Sequence, residues 1–367
     1  ANVKDPETGM TPLHSAIGAC EPEDEIEVNG TPNGDTSHAA EIETQSDTLR
    51  SAIETVKFLL GEGAIWNDLD ANDETPGCVA KRLGLQELYD IMVDAGVRAE
   101  LLLNRLDGYE PLPEEDDEEE EEEEAEGGQS EAQAEEHTAT AAAEPTDPCA
   151  TNTQYLSSNL TFQPDRILDA AQNGVMMAWE RDIMAKSAEK LLPREGLRVL
   201  NIGHGMGIID EFFQSHSPSE HHIVEAHPDV LNEMKRKGWD TKPGVHLHEG
   251  RWQDILPRLV AEGLQFDAIY YDTFAEGYAD FRDFFSEHVI GLLEEDGRWG
   301  YFNGMGADRQ ISYDVYQKVV EMDLFEAGFD VEWEEIPVPK LEGEWEGVRR
   351  PYWVIENYRL PLCKYMD

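Results

Sequence analysis

Three glycines at alternate positions, Gly203, Gly205 and Gly207, follow a short apolar run in the stretch RVLNIGHGMGIID, residues 198–210. Glycine lets a turn bring its backbone close to a bound molecule, because no Cβ stands in the way. The next apolar run, HHIVEAHP, ends around Glu225, twenty-two residues after Gly203. A carboxylate at such a strand end can accept both hydrogens of a ribose diol. Loop and acid together fit either a dinucleotide or S-adenosylmethionine. Two details favour the latter. The glycines run GxGxG rather than GxGxxG, and Met206 would crowd a pyrophosphate, which S-adenosylmethionine lacks. A tight turn without any ligand is the plain alternative.

Such a loop needs a strand before it and a helix after it, at the edge of a parallel sheet. Residues 195–203, 221–228, 245–250, 266–273 and 297–303 read as strands, with helical stretches between them that include 229–238 and 281–297. From Arg166 to Leu192 apolar residues recur at helical spacing, which predicts a helix. Strands alternating with helices predict an α/β, Rossmann-like, doubly wound domain over residues 151–367. VEWEEIPV and YWVIENYRL alternate apolar with polar residues and predict a closing antiparallel hairpin at the sheet edge. That ending suits a methyltransferase better than a dehydrogenase.

Residues 1–106 follow a different pattern. TPLHSA (11–16) and TPGCVA (75–80) are trailed by ETVKFLLGEGA (54–64) and QELYDIMVDAG (86–96), which resembles a small all-α region of ankyrin repeats. Pro12 and Pro76 suit a first helical turn, where a missing N–H costs nothing. An acidic insert at about 21–47 separates the copies, and Gly77 replaces the usual leucine. ANVKD at the start reads as the end of a preceding repeat, so further sequence is expected before residue 1. Such repeats serve protein docking, or here pack against the second domain.

Between the two regions, residues 107–147 hold nineteen acids and no Lys or Arg, eleven of them consecutive from Glu114 to Glu124. Too few apolar side chains are present to offset ordering entropy, so 107–150 is predicted to be a disordered linker. Setting those nineteen aside brings the net charge from −51 to −32. That balance argues against direct nucleic-acid binding and fits basic protein partners, or else serves solubility alone. The four cysteines are scattered without a CxxC pair, as in a reduced, intracellular protein. No run approaches the ~20 apolar residues of a membrane span, so no membrane contact is expected. His221, His222, His227, His246 and His248 suggest a metal by count, but neighbours on a strand face opposite ways and no zinc spacing supports them. No metal is expected.

VMMAWERDIM, VLNIGHGMGIID, HHIVEAHPDV, GRWQDILPRL and FDAIYYDTFAE, in this order and spacing, resemble the core of guanidinoacetate methyltransferase. With the ankyrin-like region in front, residues 1–106 and 151–367 resemble the type IV protein arginine N5-methyltransferases of fungi. The resemblance implies that residues 204–209 (His204, Gly205, Met206, Gly207, Ile208 and Ile209) wrap the methionyl end of S-adenosylmethionine, beside Gly203, with Met176 and Tyr155 covering it. Glu225 would bind the ribose, Ala226 and His227 would flank the adenine, and Trp252 and Gln253 would hold its other side. Asn201 stands where many methyltransferases carry an acid, an exchange expected to weaken a supporting contact. Gln253 replaces a glutamate of the small-molecule enzyme.

The same resemblance makes Glu180 (in AWERD) and Asp272 (in YYDT) the carboxylates that hold a guanidinium. Methyl transfer from a sulfonium is an in-line displacement, and a guanidinium nitrogen is a poor nucleophile while its lone pair is delocalised. Two carboxylates can orient the planar cation, draw positive charge away from the attacking nitrogen and accept its proton. Asp272 is the expected base and Glu180 the orienter. The double-glutamate hairpin of enzymes that methylate terminal guanidino nitrogens is not found, which fits the internal δ-nitrogen. The expected activity is monomethylation of that nitrogen in proteins, with ribosomal proteins implied as substrates and the cytoplasm and nucleus as location. Methylation of a small guanidino compound, and a non-catalytic ankyrin scaffold, are the alternatives.

Overall fold

Thr11-Pro12 and Thr75-Pro76 each start a helix. α1 (Pro12–Gly18) and α2 (Ser37–Gly61) form one antiparallel pair, α3 (Pro76–Arg82) and α4 (Gln86–Leu106) a second. In this computed structural model residues 1–21, 37–106 and 151–366 are described. Thr75 caps α3 by accepting the Cys78 N–H at 3.2 Å. At α1 the buried His14 replaces a simple cap: its Nδ1 accepts the Thr11 N–H at 3.1 Å, and its Nε2 donates to the Glu74 carbonyl at 2.9 Å. One imidazole thus ties the starts of the two pairs together. Helix α2 begins at Ser37, inside the stretch expected to be an insert. The predicted linker, residues 107–150, and residues 22–36 of the insert lie outside the described residues.

The second region opens with α5 (Asn152–Ser157) and then departs from expectation. The predicted helix from Arg166 is instead a small sheet of β1 (Thr161–Phe162), β2 (Arg166–Leu168) and β3 (Gly174–Met177), and only α6 (Arg181–Leu191) is helical. The cause is local. The Asp169 carboxylate accepts the N–H groups of Ala171 and Asn173, each at 2.8 Å, and Gln172 takes a positive φ of 64°. An aspartate folding the chain back on itself competes directly with the helical backbone, and here it overrides the apolar periodicity.

The remaining elements build the sheet. In chain order they are β4 (Arg198–Ile202), α7 (Ile208–Ser215), β5 (Glu220–Glu225), α8 (Pro228–Arg236), β6 (Val245–Glu249), α9 (Trp252–Ala261) and β7 (Phe266–Tyr271). Then come α10 (Tyr278–Asp283), α11 (Val289–Leu292), β8 (Leu293–Tyr301), α12 (Gln310–Glu326), β9 (Phe329–Pro337) and β10 (Asn357–Tyr365). The strand order is β6-β5-β4-β7-β8-β10-β9, with β6 to β8 parallel and β10 antiparallel to both its neighbours. Strand order therefore reverses at β4, and the crevice of such a sheet opens at the carboxyl ends of β4, β5 and β7. The glycine loop leaves β4 at that place.

The closing hairpin is present, with a shifted second strand. It runs from Asn357 to Tyr365, not over YWVIENYRL, and lies between β8 and β9, so that only β9 is at the edge. Trp353 and Ile355, whose alternation suggested a strand, are buried in the loop before it, against Tyr313 and Tyr358. Trp299 on β8 is fully buried, with ring centroids of Phe284, Phe285 and Phe329 within 5.9, 6.0 and 5.5 Å. Truncating such a side chain leaves a void that a close-packed core cannot refill. Trp299→Ala should lower the stability measured by denaturant titration by about 3–5 kcal/mol.

Candidate functional site

All three loop glycines have positive φ: 90° at Gly203, 52° at Gly205 and 81° at Gly207. Each also has a neighbour where a side chain would stand. A Cβ on Gly203 would lie 1.8 Å from the Asp272 carbonyl oxygen, and one on Gly205 would lie 2.8 Å from the Met176 sulfur. On Gly207 it would meet His204 Nε2 at 2.7 Å. The buried Glu225 holds the loop: its Oε2 accepts the His204 N–H at 2.9 Å and its Oε1 the His227 N–H at 2.7 Å.

Beneath the loop lies Asp210, which sequence reading did not identify, joined to Asn201, His204 and His221. Asp210, fully buried on α7, accepts from His204 Nδ1 at 2.6 Å, His221 Nε2 at 2.8 Å and Asn201 Nδ2 at 2.9 Å. Burial alone would raise its pKa, but the two imidazoles outweigh it and hold the carboxyl down at about 2. Asn201 keeps a supporting contact here, although its Oδ1 is buried without a partner. Its amide donates both to Asp210 and to the Gly203 carbonyl at 2.8 Å, which a carboxylate could not do. His221 and His222 do face opposite ways, His222 turning to His246 and His248.

One cavity is lined by Tyr155, Met176, Gly203, Gly205, Glu225, Ala226, Trp252 and Asp272, gathering eight of the sequence-predicted residues. His227 stands behind Tyr155, with ring centroids 4.7 Å apart and its Nε2 on the Tyr155 carbonyl at 3.0 Å. The His204 imidazole turns away into the Asp210 network, leaving only backbone at the loop. Ile208 and Ile209 are buried in the core beneath, and Met206 reaches Met176 through its N–H, 3.1 Å from the sulfur. Gln253 donates to Glu276 at 3.3 Å, while its Oε1 is shielded from water without a partner. Glu276, also missed, gathers the Trp252 indole at 3.0 Å, the Tyr271 hydroxyl at 2.6 Å and the Thr273 hydroxyl at 2.7 Å. Gln253, predicted to hold the base, is not among the residues lining the cavity; the loop backbone and the acid at the end of β5 suit a ligand with a ribose and a zwitterionic tail.

Asp272 belongs to a second cavity as well, with Glu180, Phe274, Tyr301, Asn303 and Tyr352. The two predicted carboxylates therefore share one chamber, and Asp272 stands on the wall between it and the first cavity. Glu180 is almost fully buried on the single turn before α6, and Tyr352 donates its hydroxyl to Glu180 Oε1. Trp179 Nε1 in turn donates to the Tyr352 oxygen at 3.1 Å. Asp272 Oδ2 is closed off from solvent with no partner. Burial first, and then the charge of Asp272, pushes Glu180 up to about 8; burial and the charge of Asp210 push Asp272 up to about 7. Among the described residues no Lys or Arg contributes to either shift.

A sequence model of guanidinoacetate N-methyltransferases matches residues 146–341, which takes in the first cavity and all of the named lining of the second except Tyr352. Protein arginine N-methyltransferase 2 of Aspergillus fumigatus is 68% identical over 383 aligned residues, spanning all of this chain and 90% of that protein. The namesake from Emericella nidulans is 67% identical over 388 and that of Neurospora crassa 46% over 402, with the same coverage. The chain belongs to this arginine N-methyltransferase family. Among the described residues no three His, Cys, Asp or Glu side chains converge on a possible metal position.

Two measurements check the site as built. Asn201→Asp should lose both amide donations and set a second carboxylate against Asp210, destabilising the fold by about 3 kcal/mol or more in thermal or denaturant unfolding. Asp272 has a folded pKa above its unfolded value, so its contribution to stability is present at acid pH and is lost as pH rises through about 7. Asp272→Asn should therefore raise the melting temperature relative to the parent at pH 8 and not at pH 4; equal effects at both would contradict the burial.

Proposed function

We propose that this chain monomethylates the δ-nitrogen of arginine side chains in basic proteins, ribosomal proteins among them, with S-adenosylmethionine as donor. The observation that carries the reading is the position of Asp272, facing the Glu180 chamber and the cofactor cavity at once. S-adenosylmethionine supplies an electrophilic methyl group on a sulfonium. Glu225 would hold its ribose, Tyr155, Met176 and the backbone of residues 203–207 its methionyl end, and Ala226, Trp252 and Gln253 its base.

The chain's own acids do the rest. An arginine side chain entering the chamber presents a planar cation to two carboxylates, which orient it by forked hydrogen bonds and keep positive charge away from the attacking nitrogen. As the nitrogen gains its methyl group it must lose a proton, and Asp272 Oδ2, with a lone pair unclaimed, accepts it. Tyr352 fixes Glu180 as the orienter. The helix pairs of residues 1–106 are ankyrin-type repeats, joined through the linker 107–150 to the catalytic domain 151–367. The net charge of −51 attracts basic substrates from a distance.

The reading is tested by incubating the chain with methyl-labelled donor and a basic protein extract, then resolving acid hydrolysates. Label in δ-N-methylarginine is expected; label only on terminal nitrogens, or only in free small molecules, would refute it. The pH profile gives a second check. Both acids must be ionised to receive the cation, so kcat/KM should rise as pH passes through about 7 to 8 and then level. Asp272→Asn should keep donor binding and lose turnover by about 10²- to 10⁴-fold.

A further inference from the structure

Gly77 breaks the leucine of the repeat pattern, and α12 is the reason. A Cβ on Gly77, in α3, would lie 1.7 Å from Ile311 Cδ1 on α12. Gly96, in α4, repeats the arrangement: a Cβ there would lie 2.7 Å from Val315 Cγ2 and 3.1 Å from the Trp66 ring. Ile311 and Val315 of α12 thus pack their side chains directly onto the backbone of both helices of the second pair, at points where a side chain is missing. Polar bonds surround these contacts. Tyr89 donates its hydroxyl to Asp314 at 2.6 Å, Tyr316 to Glu100 at 3.1 Å, and Arg282 donates to the Asn104 carbonyl at 2.8 Å. Leu88, Met92 and Val93 share one apolar core with Ile311, Val315 and Val319.

Another side of α12 builds the chamber that holds Glu180 and Asp272. Gln317 donates to Asn303 Oδ1 at 2.8 Å and receives from Asn303 Nδ2 at 3.0 Å, a reciprocal amide pair buried under the chamber wall. Tyr313 accepts from the same Nδ2 at 3.2 Å. Gly306 lies so close to the first turn of α12 that a Cβ would stand 2.7 Å from the Ser312 carbonyl carbon. Asn303, Gly304, Met305, Gly306 and Val320 all line the chamber. None of them, and no residue of the helix pairs, lines the cofactor cavity.

We propose that the helix pairs of residues 1–106 are a positioning element of the methyl-transfer site: by clamping α12 they set where residues 303–306 stand, and with them the chamber that receives the guanidinium. The inference rests on reading that chamber as the acceptor site. It makes the second pair part of the catalytic scaffold, whatever else its outer face docks.

The test uses the full chain and a short arginine-containing peptide that occupies the chamber without reaching the helix pairs. Gly77→Leu drives a side chain into Ile311. It should lower kcat/KM for the peptide by roughly tenfold to a hundredfold, the cost of a small displacement transmitted from outside the chemistry, while affinity for S-adenosylmethionine stays unchanged. Adding Ile311→Ala to Gly77→Leu should restore most of the loss. Should Gly77→Leu fail to fold, Tyr89→Phe, which removes only the bond to Asp314, should shift kcat/KM in the same direction with donor affinity again intact. Unchanged peptide kcat/KM in the folded variants would overturn the inference, as would a parallel loss of donor affinity, which marks general destabilisation. A parent chain that binds the donor but methylates no arginine peptide would instead refute the acceptor reading, and the inference with it.

Discussion

Two carboxylates in one chamber, Glu180 buried and Asp272 with its Oδ2 shielded, set the terms for the rest of this structure; among the described residues no Lys or Arg pairs with either. A buried acid avoids its charge, and a second acid nearby deepens the effect, so each such group must be held against its preference for solvent. Glu180 is pinned from outside by Tyr352, which is itself fixed by Trp179. Asp272 is held through its backbone: its N–H donates to the Ile202 carbonyl at 2.9 Å, and its own carbonyl fills the space a side chain at position 203 would need. Gly203 therefore serves two cavities. It frees backbone for a cofactor on one side and admits the strand end that carries Asp272 on the other.

Asp210 shows what the same burial does when donors are supplied. It is as deeply enclosed as Glu180, yet two imidazoles and an amide converge on it and it stays ionised, at about 2. The contrast lies in partners, not depth. Asp210 has its hydrogen bonds within the protein and so fixes the loop from below through His204, whose backbone N–H is held separately by Glu225. Asp272 instead leaves its Oδ2 without a partner, as the proposed role in holding a cation would require.

Legibility followed the range of the interactions. The strands from β4 to β8, the glycine loop and Glu225 were readable, because period-two apolar runs and glycine spacing are set by neighbours along the chain. The hairpin of β2 and β3 was not, since Asp169 looked like one acid among many until its carboxylate was seen to gather three donors. The Asp210 network joins residues 201, 204, 210 and 221, a set without any fixed spacing. Tyr352 lay in a stretch whose alternation imitated a strand. Gly77 was visible as a departure from the repeat, but its cause, Ile311, is more than two hundred residues away. The placement of Glu180 and Asp272 came through resemblance to a family, and nothing in their own surroundings in the sequence marks either among the 79 acids of the chain.

On the proposed reading, the acid pair would also account for one chamber preferring a guanidinium. Near neutral pH the free pair holds protons that water-exposed carboxyls would have released, so little uncompensated charge remains in the chamber. A planar cation brings the compensating charge with it, lowers both pKa values and displaces those protons on entry. A neutral ligand finds no such gain, and an anion would oppose both acids. Lysine offers the charge but only as a point, whereas arginine spreads it over a plane that two carboxylates can grip from different sides. Methylation removes a proton and keeps the cation, so the product stays matched in charge to the site. Selectivity then depends on shape at the methylated nitrogen, and that shape is set by the wall of residues 303–306, which α12 supports from behind.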